Sequence, residues 1–279
     1  MVTVSTMARS SSSRDISFDT DFGPAHIRWD GPRATLFLGD VESSAVDTSD
    51  PTYLEFEYMQ HMDAVVSSLW GPQDRFRALH VGGAACALAC AWSSSRPQSR
   101  HVAVEVDRLL AEQVREHFPI PKAPQVKIRV GDGRAVLDGT REGSFDVIVR
   151  DAFASGVTPD HLRTVECADR ARRSLTASGV YLVNCAHGGP ANARQDVAAL
   201  QDVFPFVASI QDPKVGRGGR RGNVVALASA ADIVDVDQID RALRMLALPA
   251  RITRPADLAR WVAGTPALTD AQVGYPQAD

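Results

Sequence analysis

From Ala78 onward the chain alternates short apolar runs with longer amphipathic stretches. The runs are Ala78–Val81, Val102–Val104, Val126–Val130, Phe145–Arg150, Val180–Ala186, Phe206–Gln211 and Asn223–Ala228. Each has strand length and is bounded by turn residues or an acid. The stretches between them, 84–92, 108–118, 134–137, 161–175 and 191–204, read as helices. Asp107 stands where a helix N-cap is preferred. Strands alternating with helices predict a doubly wound, mostly parallel sheet. The last two runs are joined by a Gly-rich turn, so the sheet of about seven strands is expected to finish antiparallel.

Upstream the pattern changes. From Ile16 to about Val46, polar and apolar residues alternate in period two and are split by Gly23-Pro24 and Gly31-Pro32. That predicts a small antiparallel β-meander or pair of hairpins. From Tyr53, apolar residues at Leu54, Tyr58, Met62, Val65, Val66 and Leu69 recur at helical spacing until Gly71-Pro72. After Asp235, IDRALRMLAL and ADLARWV read as two helices, followed by a frayed end. The resulting division is a disordered Ser-rich leader over 1–14, a β-hairpin domain over 15–52, a Rossmann-like domain over 53–230 and a helical tail over 231–279.

Composition narrows the function. Of 279 residues, 44% are hydrophobic and 23% charged, which is ordinary for a globular chain. The formal net charge of -4 lacks the basic footprint of a nucleic-acid binder. No apolar run approaches the roughly 18 residues of a membrane span, and the leader lacks the apolar core of a secretory signal. Cys86, Cys90, Cys167 and Cys185 show no CxxC spacing, so no metal site is expected. Neither nucleic acid nor membrane is expected as a partner, and a cytoplasmic location is.

The chemistry gathers at strand ends. Gly82-Gly83 follows the first strand, Glu105 ends the second, Gly131-Asp132-Gly133 follows the third and Asp151 follows the fourth. In open α/β sheets, ligands sit at the carboxyl ends of strands near the topological switch. Glycines at 82, 83 and 133 would let backbone approach a ligand. Glu105 has the chemistry to accept from two ribose hydroxyls, although a strand-end acid is also commonly solvated. Asp132 suits either an adenine amino group or a helix cap. Asp151 suits a general base or an amine-orienting charge, and equally a cap. Arg150 is a partner for it or points to the opposite face. The run GRGGRRGN, with Arg217, Arg220 and Arg221, reads as a solvated turn tip in preference to a phosphate or RNA site.

Together these pieces resemble the spermidine synthase (polyamine aminopropyltransferase) family. The resemblance rests on Tyr58, Val81-Gly82-Gly83, Val104-Glu105-Val106-Asp107, Gly131-Asp132-Gly133 and Phe145–Asp151, in that order. DPTYLEFEYM and RDAFASG are most similar to the actinobacterial spermidine-synthase-like variant. The resemblance implies a methyltransferase-like Rossmann fold behind the β domain and decarboxylated S-adenosylmethionine as co-substrate, with no metal. It implies Glu105 on the ribose, Asp132 on the adenine, Asp151 as the base for a small-molecule amine acceptor, and a homodimer.

The sequence departs from the family in three places. The family's GGGDG is Gly82-Gly83-Ala84-Ala85-Cys86, so Ala85 replaces an acid. Its DxxD is Asp151-Ala152-Phe153-Ala154, so Ala154 replaces another. Its Tyr-x-Glu matches Tyr58-Met59-Gln60 by spacing or Tyr53-Leu54-Glu55 by type, with Glu57 as a substitute; Tyr58, Glu57 and Gln60 are the candidate acceptor contacts. Two other readings stay open: a methyltransferase using intact S-adenosylmethionine, and a non-catalytic nucleoside-binding protein.

Overall fold

The computed structural model describes residues 15–154, 156–215 and 220–276. The expected leader over 1–14 and residues 216–219 of the Arg-rich turn lie outside them. β1 (Ile16–Thr20), β2 (Gly23–Asp30), β3 (Arg33–Leu38) and β4 (Val41–Asp47) form an antiparallel meander in that order. The period-two pattern buries Ala25, Ile27, Ala34 and Leu36 on one face.

Helix α1 (Glu57–Leu69) starts four residues later than its apolar spacing predicts, because Phe56 is extended. The segment after Pro51 makes a local turn instead, with the Tyr53 amide donating to the Asp50 carbonyl. The Tyr53 ring carries the Arg33 guanidinium 4.4 Å from its centroid.

The remaining elements follow in sequence: β5 (Arg77–Val81), α2 (Ala87–Ser95), β6 (Arg100–Glu105), α3 (Arg108–His117), β7 (Val126–Val130), α4 (Gly133–Asp138), β8 (Phe145–Arg150), α5 (Val165–Ser174), β9 (Leu175–His187), α6 (Ala193–Gln201), β10 (Phe206–Gln211), β11 (Gly222–Ser229), α7 (Val236–Arg244), β12 (Arg251–Thr253), α8 (Pro255–Val262) and α9 (Asp270–Val273). Their strands form one sheet in the order β12-β10-β11-β9-β8-β5-β6-β7. β5 to β9 are parallel; β11 runs antiparallel to both β9 and β10. The chain moves outward from β5 through β6 to β7, then returns to β8 on the other side. The topological switch therefore lies between β5 and β8.

Eight strands replace the expected seven. The extra strand, β12, is three residues long and pairs antiparallel with β10, which is too short to show as a pattern. It forms because α7 stops at Arg244 and does not continue to Leu248. Pro249 disfavours helix at the residue before it, and the chain turns back to the sheet edge. The described part of the tail, up to residue 276, is tied down through α9. Asp270 forms a buried ion pair with Arg134 at 2.6 Å, and Arg134 lies over the Tyr275 ring.

Alternate residues of the central strands serve two cores. Ala78, Val147 and Val149 face the core shared with α1, α2 and the N-terminal meander, while Leu79, Val81 and Ile148 face the core under α5 and α6. The meander docks on the start of α3. The Asp21 carboxylate accepts from the Arg108 and Leu109 amides, and the Asp21 amide donates to Asp107. Asp107 also caps α3 through the Leu110 amide, as its position predicts.

The first core holds a buried histidine pair. His80 Nε2 and His101 Nδ1 are 3.1 Å apart, and Ser99 Oγ lies 2.8 Å from His101 Nε2. One ring must donate and the other accept, so the two cannot both be protonated. Burial holds His80 down to about 3 and His101 well below the ordinary histidine range. The unfolded chain therefore binds protons that the folded chain refuses, and stability falls as pH drops below about 6.5. Each histidine is expected to contribute a loss of about 1.4 kcal/mol per pH unit in that window. Chemical denaturation between pH 7 and 5 checks this; a flat profile would contradict a neutral pair.

Candidate active site

A cavity of about 930 Å³ opens at the carboxyl ends of β5, β6, β7 and β8, roofed by the β2–β4 side of the meander and the first turns of α1. Among the described residues, the three expected strand-end acids all line it, together with Gly82, Gly83, Gly133, Glu57 and Tyr58.

Asp151 sits at the switch point. Its amide donates to the Val81 carbonyl at 2.8 Å. Gly82 permits this closeness: it has φ +91, and a Cβ there would lie 2.2 Å from the Asp151 carbonyl oxygen. That glycine lines the cavity where a ligand is expected and also permits the close approach of β5 to β8. Gly133 also lines the cavity, and its lack of a side chain serves packing as well, since a Cβ there would lie 2.4 Å from Val81 Cγ1. It lets α4 pack on β5 and so brings Asp132 to the cavity.

The Asp151 carboxylate is held from both sides. Tyr58 donates its hydroxyl to Oδ2 at 2.8 Å, and Asn184 donates its amide to Oδ1 at 2.8 Å. Asn223 in turn donates to the Asn184 carbonyl oxygen at 2.8 Å. Burial raises the carboxyl above its ordinary range, and the bonds from Asn184 and Tyr58 oppose the rise. Burial and the adjacent carboxylate push the Tyr58 phenol far upward, so it stays a donor. Asn184 and Asn223 were not singled out from sequence; a polar residue inside the apolar run VYLVNCA was the available signal.

Arg150, next to Asp151, points to the opposite face. It pairs with Asp196 of α6 at 2.7 Å and donates to the Leu162 and Asn184 carbonyls.

Glu105 accepts from the Ala84 amide through Oε2 at 3.0 Å and from the Asp107 amide through Oε1 at 3.1 Å. Burial raises its carboxyl. A carboxylate has about four lone-pair sites, and Glu105 lines the cavity, so it keeps acceptor capacity beyond these amides. Asp132 caps α4 through the Ala135 amide, and its Oδ2 lies 3.0 Å from His161 Nε2. His161, absent from the sequence reading, stacks on Tyr275. The cap and the cavity position coexist in Asp132.

The acceptor candidates separate. Tyr58 and Glu57 line the cavity, but the Gln60 side chain turns back and donates to the Leu54 carbonyl at 2.8 Å. Gln60 is therefore corrected to a brace at the start of α1. Tyr53 and Glu55 bond to each other outside the cavity. His61, one turn after Glu57, lines the cavity instead. Arg220 and Arg221, expected to be a solvated tip, also line it.

Ala84 and Cys86, where the family motif has glycine, carry φ of +38 and +58. The glycine backbone shape is thus kept with Cβ atoms, at a cost of order 1 kcal/mol each. Ala85 is fully buried between them. Ala154 lines the cavity.

A probable spermidine synthase from Corynebacterium glutamicum ATCC 13032 has a similar solved structure. It is 32% identical, with 91% of this chain and 95% of that chain covered at a TM-score of 0.84. The chain belongs to the spermidine synthase family. A polyamine aminopropyltransferase of Vibrio vulnificus (strain CMCP6) is 26% identical over 110 residues, 39% of this chain and 37% of that relative. No family model matches. The spermidine synthase of Thermotoga maritima shares the fold at 16% identity and a TM-score of 0.57, covering 94% of this chain and 87% of that one. The family fold, a meander ahead of a methyltransferase-like sheet, is the one described above.

Proposed function

We propose that this chain is a spermidine-synthase-like transferase. It binds decarboxylated S-adenosylmethionine, or a related adenosyl ligand, and transfers an aminopropyl group to a small amine. The observation that carries the reading is the Asp151 carboxylate, fixed at the switch point by Tyr58 and Asn184 on the same cavity edge as Glu105. A likeness supports the donor class: a spermidine synthase sharing the fold, at 16% identity and a TM-score of 0.55, is in complex with the transition-state analogue AdoDATO.

In this reading Glu105 takes the two ribose hydroxyls on its remaining acceptor capacity. Asp132, held by its own cap and by His161, takes the adenine amino group. Gly82 and Gly83 form the floor between them. Asp151 positions the acceptor amine and removes its proton. The amine lone pair forms the new C–N bond, and the C–S bond breaks with its electrons going to the sulfonium sulfur. Methylthioadenosine leaves neutral, and the proton from nitrogen resides on Asp151. Holding donor carbon and amine in line supplies the rest of the acceleration. A homodimer and a cytoplasmic location complete the proposal.

Glu105→Ala tests the donor end. It removes two charge-assisted hydrogen bonds worth about 1.5–3 kcal/mol each. Calorimetric affinity for methylthioadenosine is expected to fall at least about 100-fold. Unchanged affinity would remove Glu105 from the ribose site.

A further inference from the structure

The acceptor end of the cavity carries charges that a polyamine site does not need. Beyond Asp151, the chain of side chains Asn184 to Asn223 leads to the start of β11, where Arg220 and Arg221 line the same cavity. Both arginines are exposed. Arg221 is seated against the backbone at the end of β9: a Cβ on Gly189 would meet its guanidinium at 2.7 Å, so glycine makes the room. Arg220 lies 3.8 Å from Asp212, which also faces the cavity. Asp212 partly offsets Arg220, while Asp151 and Glu57 on the same cavity supply carboxylates for an amine beside the two cations. Ala154, where the family has an acid, removes one negative charge from the rim.

The second, independent observation is His61. It lines the cavity, is only 3% exposed, and its Nδ1 has no hydrogen-bond partner among the described residues. A buried polar atom without a partner is costly in a native structure and calls for an explanation. Burial holds this imidazole neutral, at about 4, despite the opposing charge of Asp212. A neutral ring can offer one N–H to an anion, or accept one.

We propose that the acceptor is an amine that also carries an anionic group, a carboxylate or a phosphate, with its amine on Asp151 and Tyr58 and its anion on Arg220, Arg221 and His61. Guanidinium forks suit both anions bidentately. This inference rests on the aminopropyl-transfer reading above, and it replaces the diamine acceptor by a zwitterionic one.

The full-length protein is first titrated with methylthioadenosine, which reports the nucleoside end alone. With methylthioadenosine saturating, it is titrated with putrescine and with ornithine, which differ by one carboxylate, and then with ethanolamine and phosphoethanolamine, which differ by one phosphate. The expected result is that the anionic member of at least one pair binds about tenfold tighter or more, and the pair showing it names the anion. Arg220→Gln with Arg221→Gln is expected to abolish that preference without changing methylthioadenosine affinity. His61→Phe is expected to weaken the anionic amine severalfold. Putrescine and ethanolamine binding as well as their anionic counterparts would overturn the inference while leaving the transfer reading intact. So would a preference that survives the double substitution. Intact S-adenosylmethionine binding tighter than its decarboxylated form, with that gain lost in the arginine variant, would assign the arginines to the donor and overturn the inference too. Failure of methylthioadenosine to bind would sink the transfer reading itself, and the inference with it.

Discussion

Asp151→Asn is expected to lower turnover by about 100- to 10,000-fold while leaving adenosyl-ligand affinity within a factor of about two. The substitution keeps size and the capacity to bond Tyr58 and Asn184. It removes the charge that attracts the amine and the base that takes its proton. Because Tyr58 and Asn184 hold the two carboxylate oxygens at 2.8 Å each, the asparagine has little room to reorient, and compensation by rotation is blocked. Burial raises the Asp151 carboxyl above its ordinary range. Activity in the wild type therefore rises with pH as this group ionises, and the same rise continues as the acceptor amine loses its proton. Removal of the Tyr58 hydroxyl in Tyr58→Phe takes away a bond that favours the ionised form, so the acid limb of the profile is expected to move to higher pH. Steady-state kinetics across pH read both effects. A Tyr58→Phe profile superimposable on the wild type would separate Tyr58 from the base.

The second large effect concerns stability. Asp196 lies 4% exposed between Arg150, 3% exposed, and Arg163, and its oxygens are 2.7 and 3.1 Å from them. Asp196→Ala leaves Arg150 buried without a counter-charge, at an expected cost of about 3–5 kcal/mol. Replacing the pair together, Arg150→Met with Asp196→Leu, is expected to recover much of that loss, since a buried pair is often no better than apolar residues of similar volume. Denaturant midpoints of the two variants decide this. A single-variant loss below about 1 kcal/mol would show that Arg150 is satisfied by the Leu162 and Asn184 carbonyls alone. Arg150 adjoins Asp151 and bonds the Asn184 backbone, so the same variant is expected to loosen the base as well.

The strand-end acids were legible in the sequence for a physical reason. Glu105, Asp132 and Asp151 each follow an apolar strand within one or two residues, and parallel strands deliver their ends to one edge. The meander was legible because one buried face imposes period two. The partners of those acids were not. Asn184 breaks the apolar run VYLVNCA, but nothing local says that its partner is Asp151, 33 residues away. His161 reaches Asp132 from 29 residues away and lies in a stretch that reads as continuous helix. Arg134 and Asp270 are 136 residues apart, and no local pattern joins them. Gly82 and Gly133 line the cavity, but their second role, contacts between elements, comes only from the packed structure. Arg220 and Arg221 read as solvent-facing because a charged hairpin tip usually is; they are exposed, and they also line the cavity.

The central claim is transfer of an aminopropyl group at Asp151. Mass spectrometry of the purified protein incubated with decarboxylated S-adenosylmethionine and either putrescine or ornithine tests it most directly. Methylthioadenosine and the matching aminopropylated amine are expected in equal amounts, with both absent in Asp151→Asn. Donor that stays intact with every amine, or product formation undiminished in Asp151→Asn, would contradict it.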